Sequence, residues 1–364
     1  MPILEPGQII RETYEVERFL GEGAFAEVYR VKHRFLGRQA LKIFKLPGMT
    51  NEEIDKALNE AVLLSQIGHP NIIRVFDANV LETANGNFGF FTMEYVAGGS
   101  LDKFWQSFGR SLIPISTSVD LVRQVCRGIA VGHSEKPPII HRDIKPQNIL
   151  VGYDGDGLRA RVSDFGLAKR ANPLTLLASA RGTVCFKAPE VFRDPMSDSC
   201  SGDVWAIGCT LYLLLTDQLP FPEVIDSAMF NPKIFDQRID EPSLTNGESD
   251  RVLDGICLKA LAINPKHRYS NACELLKDLE SWRPASHGKT NLPPSETSKG
   301  SLGAFSPINE EAGQKLANQA LDLAKKPNGL FRAADVMEEA FLKFPVLRDQ
   351  FGDLVKLWRR GISC

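Results

Sequence analysis

An α+β fold is predicted: a small β-rich lobe, a larger helical lobe and a small all-α appendage. Three observations predict it. Apolar and polar residues alternate through most of the first 95 residues, apolar residues recur at three-to-four spacing from Ser118 onward, and a Pro-, Ser- and Gly-rich stretch sets residues 308–364 apart. A chain of 364 residues suits about two domains at roughly 150 residues each.

The elements follow in order. Tyr14-Glu15-Val16-Glu17-Arg18-Phe19-Leu20 alternates, a Gly-rich turn intervenes, and Glu27-Val28-Tyr29-Arg30-Val31 alternates again, which predicts a β-hairpin. Gln39 to Phe44 predicts a third strand, about Asn51 to Ile67 a helix, and Phe88 to Tyr95 another strand. Helices are expected over Val119–His133, Asp203–Leu215, Arg251–Leu261 and Asn271–Trp282. Between Pro284 and Pro307, twelve of 24 residues are Pro, Ser or Gly. Such a segment buries too little to offset its ordering entropy and reads as a flexible linker. Beyond it, Leu316, Ala320, Leu323 and Ala324 form one apolar stripe. Phe331, Ala334, Met337, Ala340 and Phe341 form a second, and Phe351, Leu354, Val355 and Trp358 a third. Three short amphipathic helices are expected there, their stripes serving as self-packing core or as a surface for a partner. The expected organisation is an N-terminal tail at 1–13, a main domain at 14–283 with lobes at 14–95 and 98–283, a linker at 284–307 and a helical region at 308–364.

Composition excludes several classes. With 43% hydrophobic and 24% charged residues, the chain is neither wholly disordered, nor a collagen, nor a disulfide miniprotein. Its 43 basic and 45 acidic side chains leave a net charge of −2, so no general basic field for nucleic acid exists. No run of about 18 apolar residues occurs, and the N-terminus lacks a basic region followed by an apolar one, so neither a membrane span nor a signal peptide is expected. Seven scattered cysteines without a Cys-x-x-Cys pair read as free thiols in a reducing cytoplasm.

Four local patterns carry chemistry. Gly21-Glu22-Gly23 opens a turn in which backbone N–H groups can approach phosphate oxygens with no Cβ in the way, although Gly-x-Gly between strands is by itself a weak signal. Lys42 lies inside an apolar strand, and Glu60 follows eighteen residues later in the expected helix. The octapeptide His141-Arg142-Asp143-Ile144-Lys145-Pro146-Gln147-Asn148 packs charged side chains between the apolar runs Ile139-Ile140 and Ile149-Leu150-Val151. A polar loop so enclosed points to a rigid functional site. Sixteen residues past Asn148 comes Asp164-Phe165-Gly166. Asn148 and Asp164 offer the oxygen ligands a hard cation prefers. Asp154-Gly155-Asp156-Gly157 looks like a calcium loop but lacks the closing glutamate, because Phe165 occupies that place, and it reads better as a hairpin turn.

Taken together, these motifs resemble the eukaryotic-type serine/threonine protein kinases from about Tyr14 to Trp282. The resemblance implies the bilobal kinase fold and phosphoryl transfer from ATP, with Mg²⁺ or Mn²⁺, to protein hydroxyls. It implies that Lys42 contacts the α- and β-phosphates and pairs with Glu60, that Asp143 takes or orients the acceptor proton, that Lys145 neutralises the γ-phosphate, and that Asn148 and Asp164 hold the metal. Gly21 and Gly23 would cover the phosphates, and Val28, Ala40 and Leu150 would sandwich the adenine. Met93 would stand as gatekeeper, with the backbone of Glu94 and Val96 reading the purine edge. Ala26 stands where the family has its third glycine.

Ala188-Pro189-Glu190 closes an activation segment that begins at Asp164, and its presence argues for protein substrates. Within this resemblance Glu190 pairs with Arg268, and the helix beginning at Asp203 braces the catalytic loop. Arg142 beside Asp143 reads as an uncompensated cation awaiting a phosphate, with autophosphorylation expected at Thr175 or Ser179, while Thr183 helps define the acceptor pocket. The stretch Gly182-Thr183-Val184-Cys185-Phe186-Lys187 departs from the family's Gly-Thr-Pro-x-Tyr, which unsettles any standard substrate preference. The rival reading is a scaffold acting through residues 308–364; loss of Lys42, Asp143 or Asp164 would favour it, and all three are present. A soluble cytoplasmic enzyme of bacterial type, free of membrane and nucleic acid, is the expectation.

Overall fold

The computed structural model describes residues 2–23, 26–45, 52, 58, 68–83, 86–109, 111–164, 184–194, 197–221, 232–284 and 309–363. The chain divides into two compact units, Met1–Tyr95 and Val96–Cys364.

The first unit is built on an antiparallel six-stranded sheet. Its strands are β1 (Ile9–Ile10), β2 (Tyr14–Glu22), β3 (Ala26–His33), β4 (Gly37–Phe44), β5 (Val75–Thr83) and β6 (Gly86–Glu94), in the order β1-β2-β3-β4-β6-β5. Alternation along β3 and β4 sends Tyr29, Val31, Leu41 and Ile43 to a core face, where all four are 1% exposed or less. Residues 2–13, expected as a tail, belong to this core instead. Leu4 and Ile10 are 1% exposed, and the Ile3 N–H donates to Glu27 Oε2 at 2.8 Å. Apolar burial of these two side chains ties the segment down. β5 was not foreseen, because Asp77 and Asn79 break its apolar alternation and most of its side chains are half-exposed. The helix expected over Asn51–Ile67 lies outside the described residues, apart from Glu52 and Leu58, both helical.

In the second unit come α1 (Leu101–Gln106), α2 (Ile115–His133), the hairpin β7 (Ile149–Asp154) and β8 (Gly157–Val162), α3 (Pro189–Arg193), α4 (Cys200–Thr216), α5 (Pro242–Thr245), α6 (Arg251–Ala260) and α7 (Ala272–Ser281). The hairpin expected at Asp154–Gly157 is the β7–β8 turn, where Gly157 takes φ +130°. Side-chain caps fix the helix starts: Ser199 accepts from the Gly202 N–H, Asp250 from Val252 and Leu253, and Asn271 from Glu274. α4 is apolar nearly all round and forms the centre of the unit. No helix among the described residues is long and apolar enough to cross a membrane.

Three terminal helices complete this unit: α8 (Glu310–Ala324), α9 (Leu330–Lys343) and α10 (Leu347–Arg359). Ala320, Met337, Phe341, Val355 and Trp358 make their shared core. Phe331 departs from its expected stripe and is 58% exposed, because Ala333 and Ala334 turn inward in its place. The helices also dock on β7. Phe341 meets Tyr153 edge-on at 6.0 Å, Arg360 Nε donates to the Gly155 carbonyl at 2.7 Å, and Arg348 lies over Phe104 at 4.6 Å. At the middle of this contact Glu338, 1% exposed, accepts from the Tyr153 N–H at 3.0 Å and pairs with Arg359 at 2.5 Å. The expected linker, 284–307, lies outside the described residues except for Pro284.

Candidate active site

Strand register gathers the first unit's candidate residues on one sheet face. Gly21 stands opposite Val28, Val28 opposite Lys42, and Ala40 opposite Met93. Directly opposed residues share a face, and so do residues two apart on a strand, so Gly21, Val28, Ala40, Lys42 and Met93 lie together on the face away from Leu41 and Ile43. Lys42 is 9% exposed, a lysine largely removed from water among the apolar Ala40, Leu41, Ile43 and Phe44. The Gly23 N–H donates to the Ala26 carbonyl at 2.8 Å, closing the base of the Gly-rich turn. The Glu94 N–H donates to the Arg74 carbonyl at 2.8 Å. Glu60 lies outside the described residues, and with it the expected pair with Lys42.

The second unit holds the charged loop between α2 and β7. Asp203, at the start of α4 and 2% exposed, accepts the His141 N–H on Oδ2 at 2.7 Å and the Arg142 N–H on Oδ1 at 2.9 Å. His133 Nε2 adds a contact to Oδ2 at 3.0 Å, so the brace is itself held from α2. These contacts hold Arg142 at φ +69°, a left-handed backbone that a non-glycine residue adopts only when its surroundings impose it. His141 Nδ1 accepts the Asp143 N–H at 3.2 Å, so Nε2 carries the proton and donates to the Ser163 carbonyl at 2.9 Å. Burial keeps this imidazole below its usual value, consistent with a neutral ring that links the loop to the strand leading into Asp164.

Asp143 is the focus of the loop. Lys145 Nζ lies 2.8 Å from Oδ2, and Asn148 Nδ2 donates to Oδ2 at 2.9 Å and to the Asp143 carbonyl at 2.8 Å. Lys187 Nζ approaches the other oxygen, Oδ1, at 3.7 Å. Burial alone would raise the carboxyl, but Lys145 and Lys187 outweigh it and hold it below the usual carboxylate range. Asp143 is therefore an ionised carboxylate at neutral pH.

The donor set suits a hard cation. Asn148 commits its amide nitrogen to Asp143, which leaves the carboxamide oxygen as the end that can take a metal, and Asp164 supplies a carboxylate at φ +62°. Among the described residues no cluster of three or more His, Cys, Asp or Glu is placed to hold a metal ion. Leu150 lies in β7 and bridges to Ser100, while the Val96 carbonyl accepts from the Gly99 N–H at 3.2 Å.

Arg268, with its side chain fully buried, grips Glu190 in bidentate fashion, Nη1 to Oε1 at 2.8 Å and Nη2 to Oε2 at 3.1 Å, as expected. One expectation is corrected. Arg142 is not uncompensated, because its Nε donates to Asp198 Oδ2 at 2.8 Å. The two are 56 residues apart in the chain, and folding of the stretch before α4 brings them together. Thr175, Ser179 and Thr183 lie outside the described residues. Reading from sequence also missed Lys187; its only trace is a lysine set among Cys185, Phe186 and Ala188. Cys185 itself is 5% exposed, and burial pushes its thiol up to about 11, an inert side chain at neutral pH.

Residues 14–279 match the model of the protein kinase domain. Relatives include a probable serine/threonine-protein kinase of Clostridium acetobutylicum, 30% identical over 76% of this chain and 40% of its own length. The serine/threonine-protein kinase PknB of Mycolicibacterium smegmatis is 31% identical over 75% of this chain and 43% of its own length. The chain thus spans about two fifths of the curated relatives it matches. The crystal structure of the Mycobacterium tuberculosis PknI kinase domain superimposes with a TM-score of 0.56 at 25% identity, covering 76% of this chain and 98% of that one. With its motifs in order on a matching fold, the chain belongs to the protein kinase family.

Proposed function

We propose that this chain is a serine/threonine protein kinase, which transfers the γ-phosphoryl group of ATP to hydroxyls of protein substrates. The observation that carries the reading is the ionised Asp143 carboxylate, whose Oδ2 is held by Lys145 at 2.8 Å and Asn148 at 2.9 Å. That grip leaves Oδ1 to face an acceptor hydroxyl. As the hydroxyl oxygen attacks the γ-phosphorus, the new O–P bond forms while the bond from phosphorus to the β,γ-bridging oxygen breaks. The bonding electrons leave with ADP, and the hydroxyl proton passes to Asp143 Oδ1. Lys145 balances charge on the transferring group, and Lys42 orients the α- and β-phosphates. Asn148 and Asp164 would hold Mg²⁺, with Mn²⁺ able to replace it, and the metal when bound neutralises phosphate charge. Gly21, Gly23, Val28, Ala40, Met93, Glu94, Val96 and Leu150 would form the nucleotide's surroundings.

Serine and threonine specificity rests on Lys145, two residues past Asp143, and protein substrates on the Ala188-Pro189-Glu190 element anchored by Arg268. Asp198 takes only the Arg142 Nε, so a phosphate on Thr175 or Ser179 would compete with it or share the guanidinium. Free buried thiols at Cys126, Cys209 and Cys257 support a reducing, cytoplasmic setting. Phosphoamino-acid analysis after incubation with γ-labelled ATP and a generic protein tests the reading. Label on serine or threonine, lost on metal chelation, is expected; label confined to tyrosine or to small molecules would overturn it.

A further inference from the structure

Arg142 is held by three groups from outside its own loop, and they come from one stretch of chain. Its N–H is taken by Asp203 at 2.9 Å and its guanidinium by Asp198 at 2.8 Å. Its carbonyl accepts from Lys187 Nζ at 2.6 Å. The same ammonium lies 3.7 Å from Asp143 Oδ1. Lysine on a surface loop ordinarily extends into water, because its ammonium is strongly hydrated and its stem loses rotamer freedom when fixed. The Lys187 side chain is only 19% exposed and turns inward instead. A charge-assisted hydrogen bond of this length to a main-chain carbonyl fixes the backbone immediately before Asp143.

The two oxygens of Asp143 are thus treated differently. Oδ2 is saturated by Lys145 and Asn148, whereas Oδ1 has an ammonium beside it at a distance too long for a hydrogen bond. Lys187 attracts this oxygen without covering it, which sets the direction of the carboxylate and leaves Oδ1 open to a hydroxyl.

We propose that Lys187 is a positioning residue for phosphoryl transfer: it ties the chain next to Ala188-Pro189-Glu190 to the backbone of the catalytic loop and aims Asp143 Oδ1 at the acceptor. The role rests on the kinase reading above. It makes Lys187 a checkpoint, because the ammonium reaches the Arg142 carbonyl only when the segment from Cys185 to Glu190 is seated on the loop. Arg268, which clamps Glu190 three residues on, holds the other side of that seat.

The test uses the full chain with Lys187→Met, which keeps the stem and removes the charge, and Lys187→Arg, which keeps a donor for the Arg142 carbonyl. Two readouts are taken beside a thermal melt. First, Lys187→Met should lower kcat about tenfold or more, the order expected when a reacting group loses its aim. Its KM for ATP should stay within about twofold, and Lys187→Arg should recover a substantial part of kcat. Second, hydrogen exchange in the peptide spanning 140–148 should speed up in Lys187→Met and return toward wild type in Lys187→Arg. The exchange comparison reads the clamp whether or not phosphate is transferred, so it separates failure of this inference from failure of the kinase reading. Unchanged exchange in Lys187→Met overturns the proposal. Unchanged kcat in a wild type that is active overturns it too, and so does a loss explained wholly by a lowered melting temperature.

Discussion

Replacing Glu338 by alanine tests whether the terminal helices are part of the second unit. The carboxylate is 1% exposed and serves two elements at once: it accepts the Tyr153 N–H of β7 at 3.0 Å and takes Arg359 of α10 at 2.5 and 3.2 Å. Burial alone would lower the Arg359 guanidinium, but Glu338 and Asp335 outweigh it and hold it above its usual value. Breaking a buried pair by removing one partner costs about 3–5 kcal/mol. Arg359 keeps Asp335 at 2.9 Å, which limits the loss, while the Tyr153 N–H is left unpaired, which adds to it. The expected destabilisation is about 3 kcal/mol, or roughly 6–12 °C in melting temperature for a unit of this size. Glu338→Gln, which keeps an acceptor for Tyr153 and loses only charge, should cost about half as much. Urea unfolding followed by tryptophan fluorescence is the assay, since Trp358 is 2% exposed within the tail and Trp205 is buried in α4. A cost below about 1 kcal/mol for the alanine variant would refute the reasoning, because so small a value belongs to a solvated surface pair. Equal costs for alanine and glutamine would refute the role given to the Tyr153 N–H.

Other expectations follow from the same geometry. A Cβ added at Gly98 would stand 2.3 Å from the Val151 carbonyl and 3.0 Å from Glu338 Oε2, so Gly98→Ala should lower stability by about 1–3 kcal/mol in the same unfolding assay. Arg268→Lys removes a fork from a fully buried site where a single ammonium cannot satisfy both oxygens of Glu190, and should cost about 2–3 kcal/mol and slow phosphoryl transfer. Cys185, pushed up to about 11 by burial, has its thiolate fraction at pH 8 cut about a hundredfold from that of an ordinary thiol at 9.0. Among the described cysteines, alkylation mapped by mass spectrometry should therefore reach exposed Cys273 first, and the Cys185 rate should keep rising with pH to near 11.

Much of this site was legible in the sequence, because phosphoryl transfer needs a few charged groups close together and several sit within eight residues. His141 to Asn148 stand between the apolar runs Ile139-Ile140 and Ile149-Leu150-Val151, so their polarity required a functional explanation, and the structure shows Lys145 and Asn148 both in contact with Asp143. Val28, Ala40 and Met93 were named through the resemblance alone, and the strand register puts them with Lys42 on one face of the sheet. What escaped depends on contacts distant in sequence. Arg142 looked unpaired because Asp198 lies 56 residues on, and Glu338 looked like any glutamate on an amphipathic helix because its burial comes from Tyr153, 185 residues away. β5 escaped for a different reason: a half-exposed strand carrying Asp77 and Asn79 lacks the apolar period that marks buried ones.

The most direct test of the central claim compares phosphate transfer by wild type and Asp143→Ala, with γ-labelled ATP, Mg²⁺ and a generic protein acceptor. Loss of the proton-accepting carboxylate should lower the rate by on the order of 10²–10⁴, while binding of nucleotide persists in both proteins. Equal transfer by the two, or binding of nucleotide with no transfer by wild type, would contradict the account.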